Sequence, residues 1–600
     1  LLYPVLGEGE IPMENHLCRI LGMWAMVLVF GSVSQAADPG QAPEFELKDV
    51  AGKTWTNQVF AAHRATAVIF LGTGCPVANL YIPELNELAA RYPATDLQLI
   101  GVNANAGDSP EAIKRHAEEF KIQFPVLLDP EQKLADGLSA VRTPEAIVID
   151  QKGVIRYRGR IDDRHGYTFR RDSSTRADLE EAVKEVIADK EVSVAKTEPL
   201  GCLLNRRAET LATGEVTFTN QVSRIINNKC GYCHRDGAAA PFTLETYEDV
   251  SKWAEAIKEV INEQRMPPWH ATAPFGHFSN DRRLTDNEKT LLIRWIDEGR
   301  AKGNDQELPP AVAREETGWM IGKPDIVFKM PQKVDVQADG VVAYQYYITP
   351  TNFKEDVWVT AAEAKPGNRA VVHHIILFFR DPKVKVPIGE PDGKKFGFLV
   401  GTAPGDMPLV LPPGVARRIP AGAELVWQMH YTPTGKPEED QSEVGLVFHK
   451  GPEPPRFNSI TKGISQRWFK IPAHADNHRV ESNFVFKSDS ILLSFMPHMH
   501  LRGKAFMYEA TYPDGKTEVL LDIPKYDFNW QSAYRLAQPK KMPAGTKIHC
   551  VAHFDNSKNN PANPDPTKPV VWGDQTWEEM MIGWIDYMNA EPLDPAVAGK

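Results

Sequence analysis

Cys230-Gly231-Tyr232-Cys233-His234 sets two thiols three positions apart, with an imidazole directly after the second. Thiols one helical turn apart can add across the two vinyl groups of a heme, and the histidine that follows then lies beneath the iron as proximal ligand. A zinc half-site or a redox thiol pair shares the spacing. Zinc would want a second ligand pair nearby, which the sequence does not offer, and redox pairs follow a strand, whereas this motif lies in a helical stretch. Met266 and His270, in Met266-Pro267-Pro268-Trp269-His270, are the candidate sixth ligands. A thioether there would raise the iron's potential and favour electron transfer.

Further along come His373-His374 in the run VVHHIILFF, His430 after Val426-Trp427-Gln428-Met429, and His498-Met499-His500. On a strand, residues i and i+2 face one side, so His498 and His500 can chelate one ion. His373 and His374 face opposite sides of a regular strand and can share an ion only at a strand end or bulge. Imidazoles, alone or with a thioether, suit copper. A lone histidine in a strand is ordinarily a polar or core position; three clusters inside large apolar runs favour metal. His549 and His553, flanking Cys550, read as supporting or structural groups, and Cys550 as a buried free thiol.

Cys75 follows Phe70-Leu71-Gly72-Thr73-Gly74, after a strand-like run and before a helix-like one. A helix N-terminus lowers a thiol's pKa and makes it a nucleophile. Position 78 is Ala, so no C-x-x-C is present, and Cys202 is the candidate resolving partner. The alternative is a degenerate domain used for docking or structure.

The elements that must position these groups fall into regions of different pattern. At about 150 residues per domain, 600 residues suggest about four domains. With 42% hydrophobic and 24% charged residues the chain is ordinary globular material, neither fibrous nor wholly disordered. A net charge of −11 without a basic run argues against nucleic acid as a partner. A mean hydropathy of −0.36 argues against a polytopic membrane protein. Six Cys are too few for a disulfide scaffold. The apolar run Ile20 to Val33, preceded by Arg19 and followed by Ser34-Gln35-Ala36, predicts a signal peptide over 1–36, with a retained anchor as the alternative. Export would place the protein in the periplasm or outside the cell and leaves peripheral membrane association open. Residues 41–195 alternate strand-like and helix-like segments, an α/β pattern. Residues 196–209 read as a linker. Residues 210–305 read as mainly α, with helices over 222–228, 247–263 and 286–298. Residues 303–325 are polar and Pro-rich, a second linker. From 326 to 600, short β-rich runs split by Pro, Gly and Asn predict all-β structure, long enough for two sandwiches.

Several of these segments carry resemblances. Residues 42–198, with Cys75 before a helix and Thr143-Pro144 before the strand AIVID, resemble the thioredoxin-like redoxins of the alkyl hydroperoxide reductase/thiol-specific antioxidant type. That implies a thioredoxin-like α/β domain with a cis-Pro beside the Cys. Residues 210–305 resemble a cytochrome c domain, in which a Met just before a Pro often serves as axial ligand. In the β region, Val371-Val372-His373-His374, Gln428-Met429-His430-Tyr431, His498-Met499-His500-Leu501-Arg502-Gly503 and Glu578-Glu579-Met580-Met581 occur in order. Together they resemble the copper type II, ascorbate-dependent monooxygenases, which include peptidylglycine α-hydroxylating and dopamine β-monooxygenases. The resemblance implies two jelly-roll sandwiches, 326–480 and 481–600, each with one copper, separated by a solvent cleft. It assigns His373, His374 and His430 to an electron-storing copper, and His498, His500 and Met580, with Met581 as fallback, to the copper that meets dioxygen. A soft thioether suits that role because it stabilises Cu(I). This family is rich in disulfides, whereas the region here has a single Cys, and its substrate-binding residues are not recognisable.

The resulting expectation is an exported oxidoreductase with two copper ions and one covalently bound heme c. It would hydroxylate a C–H bond of a small organic substrate with O2, drawing electrons from an ascorbate-like reductant or a redox protein. The alternatives are a non-catalytic copper and heme carrier or copper-handling protein, and a surface scaffold.

Overall fold

The run ATAVIF is buried at every position and forms the strand Ala65–Phe70, as expected for the centre of a sheet covered on both faces. The computed structural model describes residues 40–593 except 168, 172, 208–214, 239, 311–317, 382, 384–395, 405 and 452; the expected signal peptide lies outside the described residues. Ala65–Phe70 runs parallel to Leu97–Asn103, which runs parallel to Val126–Leu128. Glu145–Asp150 joins the other edge antiparallel and turns back at Gly153, φ +79°, into Ile155–Gly159. Ile82–Arg91 and Asp178–Ile187 cover one face through Leu85, Leu88, Leu179 and Val183.

The segment 196–209, expected to be a linker, is part of this domain through residue 207. Cys202–Leu203 pairs antiparallel with Arg142–Thr143, and Leu204 is buried in the second core. Apolar side chains at 203 and 204 gain more from that burial than from a solvated tether.

A mainly helical region follows. Phe218–Val222 and Ser223–Lys229 lead to Cys230, and Asp286–Asp297 packs across them through Trp295 on Phe218. The helix expected over 247–263 breaks at Trp253 into Tyr247–Lys252 and Ala254–Asn262. The second expected linker, 303–325, is held where described: the Met320 N–H donates to Glu363 at 2.7 Å.

The largely β remainder forms two sandwiches. In the first, Gln345–Pro350, Glu424–Tyr431, Val372–Arg380 and Phe396–Thr402 form one sheet. It faces a second sheet centred on Val357–Lys365, and Trp427, Leu377 and Val359 fill the space between. In the other sandwich, Ile460–Ser465, Ile582–Asn589, Ser490–His498 and Tyr534–Met542 face His478–Val485, Lys547–Phe554, Gly503–Thr511 and Thr517–Ile523. Ile460–Ser465 pairs with Ile582–Asn589, so the boundary falls near 459 rather than 480. The polar turns in 466–477 look like a domain break in sequence, but the strand before them already belongs to the later sheet.

Candidate metal and thiol sites

His374 and His430 are cross-strand neighbours, and the register of their strands shifts between Val372 and His374. That bulge at the start of Val372–Arg380 turns adjacent histidines toward one point, the geometry that adjacent ligands on a strand require. His373 Nδ1 lies 3.4 Å from His374 Nδ1, and His373, His374 and His430 each offer a nitrogen within 4.8 Å of the others. Burial holds all three imidazoles in the neutral, lone-pair form; for His373 the pKa is brought to about 4 by burial and then by the Arg170 guanidinium. Arg170 comes from the N-terminal domain and donates to the Pro433 carbonyl at 2.9 Å.

His498 ends its strand, and its Nδ1–H donates to Gln531 Oε1 at 2.6 Å. His500 Nδ1–H reaches the Glu578 carbonyl at 3.3 Å. Such bonds fix the tautomer and turn the Nε2 lone pair to a ligand. The buried Glu579 carboxylate accepts from the His500, Arg502 and Met580 backbone N–H groups at 2.9, 2.6 and 3.3 Å, so it ties the histidine turn to the methionine. Met580 and His498 line one cavity of about 1320 Å³, whereas Met581 is enclosed in the core. His549 is placed elsewhere, bonded to Glu481 on the outer sheet face, and Cys550 is a buried free thiol.

The two histidine sets are brought close together, and side chains rather than a solvent cleft fill the space between them. Tyr344 and Phe528 occupy it, with ring centroids 4.8 and 6.1 Å from His430 and 6.3 and 6.2 Å from His500. His374 Nε2, His430 Nδ1 and His500 Nε2 are buried without hydrogen-bond partners. An unsatisfied buried nitrogen costs about 1–3 kcal/mol, which a coordinated cation removes. The donor chemistry of His373, His374 and His430 therefore fits a metal ion, and His500, with the His498 ring centroid 5.1 Å away, offers imidazole donors for a second.

Cys230 caps the Ser223–Lys229 helix, and the His234 N–H bonds back to the Cys230 carbonyl at 3.0 Å. The His234 ring donates from Nδ1 to the Phe242 carbonyl at 3.2 Å, leaving Nε2 as the available ligand atom. Both thiols are free, so the motif fits covalent heme attachment. The Met266 N–H bonds the Val260 carbonyl after the second half of the broken helix. His270 is beside Lys525 and Asp527 of the second sandwich, next to Trp269, which packs on Tyr534.

Cys75 Sγ lies 2.8 Å from the Thr143 carbonyl, and the Thr143–Pro144 bond is cis. Cys202 is hydrogen-bonded to Cys75. Burial opposes the Cys75 thiolate, but hydrogen bonds from Cys202, Ala78 and Thr143 bring its pKa to about 7, while Cys202 is held well above the ordinary thiol value. This asymmetry leaves Cys75 the more readily ionised thiol of the two. Lys252 and Trp253 of the helical region cover the pair, with Lys252 Nζ 2.8 Å from Asp108 and Arg142 2.6 Å from Glu259.

Nothing in the sequence marks Glu579, Gln531, Tyr344 or Phe528 as site residues. Glu579 sits within the quoted EEMM run; the others carry no local pattern, and only the meeting of the two sandwiches reveals them.

The family described as AhpC/TSA matches residues 40–158. Thiol-disulfide oxidoreductase ResA of Bacillus thuringiensis subsp. konkukian is 25% identical over 139 residues, 23% of this chain and 79% of the relative. ResA of Geobacillus kaustophilus is 26% identical over 142 residues, again 23% and 79%. Among solved structures, an uncharacterised conserved protein from Geobacillus kaustophilus is 26% identical, with a TM-score of 0.27, covering 28% of this chain and 93% of that one. A secreted Mycobacterium tuberculosis disulfide oxidoreductase homologous to E. coli DsbE is 16% identical, with a TM-score of 0.19, covering 24% and 95%. Residues 40–158 are thus a thioredoxin-like redoxin domain of the AhpC/TSA type, joined to a largely β C-terminal region.

Proposed function

We propose that the protein is an exported oxidoreductase whose β region is a two-copper monooxygenase, supplied with electrons through a heme c carried on the same chain. The observation that carries this reading is the buried cluster His373/His374/His430, with unpartnered nitrogens on His374 and His430 and on His500, which with His498 and Met580 is taken as the second donor set. The overall reaction it supports is RH + O2 + 2e− + 2H+ → ROH + H2O. Copper held there would supply one-electron redox and dioxygen activation, and heme c at Cys230, Cys233 and His234 would supply electron delivery.

The chain's own residues set the conditions. Gln531 and Glu578 orient the two imidazoles, and Glu579 bonds the backbone N–H groups of both His500 and Met580. The cavity beyond His498 and Met580 is walled by Phe469, Trp572 and Trp584 together with Lys462, Arg467 and Glu578, which favours a substrate with an aromatic or apolar body and a polar or charged group. The helical region meets the first sandwich at the motif itself, where the Tyr232 hydroxyl donates to the Asp406 carbonyl at 2.6 Å. In the N-terminal domain, Cys75 and Cys202 support thiol–disulfide exchange in place of a C-x-x-C pair. Export rests on the apolar run Ile20 to Val33 with Arg19 before it and Ser34-Gln35-Ala36 after it.

Metal analysis of the purified protein, matured in a host that attaches heme c, should find two copper and one iron per chain. Oxygen uptake with a reductant should rise when a suitable apolar substrate is added. Two coppers without substrate-dependent uptake would favour a carrier, and fewer than two coppers would overturn the reading.

A further inference from the structure

Tyr344 is a buried residue just before the strand Gln345–Pro350, and its N–H donates to Gln575 of the second sandwich at 3.1 Å. Its ring centroid is 5.2 Å from that of His374, 4.8 Å from His430 and 6.3 Å from His500. Phe528 approaches from the second sandwich. It stacks on His373 at 5.5 Å and 11° and lies 6.2 Å from His500, edge to face. Two aromatic rings, one from each sandwich, therefore touch ligands of both sets, and no other side chain is described in ring contact with both.

We propose that Tyr344 and Phe528 are parallel electron relays between the two histidine sets, which makes them positioning residues for transfer rather than catalytic ones. The inference rests on the two-copper reading. With copper held at both sets, one electron would pass from His373/His374/His430 to His498/His500/Met580. The rings are conduits, with no net gain or loss. The Tyr344 hydroxyl has no hydrogen-bond partner, so no acceptor is in place for its proton and the phenol stays intact. An aromatic ring in contact with both ligand sets couples them more strongly than water in an open cleft, and the enclosed pair makes transfer independent of cleft motion.

The test uses the full holoprotein without O2 or substrate. Half of the copper is reduced by a radiolytic pulse, and redistribution between the sites is followed by freeze-quench EPR, which separates a three-nitrogen from a nitrogen–thioether site. Tyr344→Leu and Phe528→Leu each leave one conduit and should slow redistribution by no more than about threefold, whereas the double variant should slow it at least about tenfold, a non-additive pattern. Tyr344→Phe and Phe528→Tyr, which keep the rings, should stay within about twofold of the parent. Copper content is measured on every variant. Two coppers with unchanged redistribution in the double variant would overturn the relay alone. So would a loss in Tyr344→Phe as large as in the double. Fewer than two coppers in the parent protein would overturn the copper reading and the relay with it.

Discussion

In the two-copper reading a thioether beside two imidazoles would make a soft site, and burial distinguishes the two methionines that could supply it. Met580 lines the cavity with His498, while Met581 packs in the core. Met580→Leu should lower Cu(I) affinity at least about tenfold, read by competition with a Cu(I) chelator, with little change in Tm. Met581→Leu should leave copper affinity unchanged and cost less than about 1.5 kcal/mol in denaturant unfolding. His116 illustrates a different residue-scale effect. Its Nε2 lies 2.8 Å from Asn79 Oδ1, and burial, against the attraction of Asp108 and Glu119, brings its pKa from 6.5 to about 4. Between those values the unfolded chain binds a proton that the folded chain refuses, so this contribution to stability is intact above pH 6.5 and is lost as the pH falls toward 4. The loss is about 3 kcal/mol at roughly 1.4 kcal/mol per unit. His116→Gln should lose correspondingly less stability than the parent between pH 7 and 4.5, measured by urea unfolding.

At the scale of elements, the break at Trp253 serves a contact. Its ring stacks on Phe242 at 4.0 Å and lies against Gly74, where an added Cβ would approach it to 3.0 Å. An unbroken helix over 247–263 satisfies the periodicity equally well, so the pattern alone does not reveal the break. Trp253→Ala should open the cover over Cys75 and Cys202 and raise the rate of Cys75 alkylation at least about tenfold, read by mass spectrometry. An unchanged rate would mean that the thiols are reached by another way. The bulge at Val372/His374 is similar in kind. The two adjacent histidines demanded a strand irregularity for shared ligation, but its position depends on pairing with Glu424–Tyr431.

At the scale of the whole molecule, the N-terminal domain and the β region meet at a metal-type site. Arg170 brings a positive charge within electrostatic reach of His373 and His430 while bonding the Pro433 carbonyl. A nearby positive charge disfavours the more highly charged oxidised ion. Arg170→Gln should therefore lower the reduction potential of copper at that set and leave the His498/His500/Met580 set less affected, as read by EPR redox titration. The helical region also touches both partners, through Lys252 to Asp108 and through Tyr232 to the Asp406 carbonyl at 2.6 Å. This convergence accords with one electron-transfer unit rather than domains strung on tethers.

What the sequence determined by itself was local chemistry and local period: C-x-x-C-H, the histidine pairs, a cysteine between strand and helix, and the change from alternating α/β to short β runs. These are legible because each depends on neighbours a few positions apart. The tertiary structure alone decided that Cys202 completes the Cys75 pair, that Ile460–Ser465 belongs to the second sandwich, that Met580 rather than Met581 faces the cavity, and that Tyr344 and Phe528 close the space between the histidine sets. Each of those outcomes is set by contacts between segments many residues apart, whose burial free energy leaves no periodic mark on either segment.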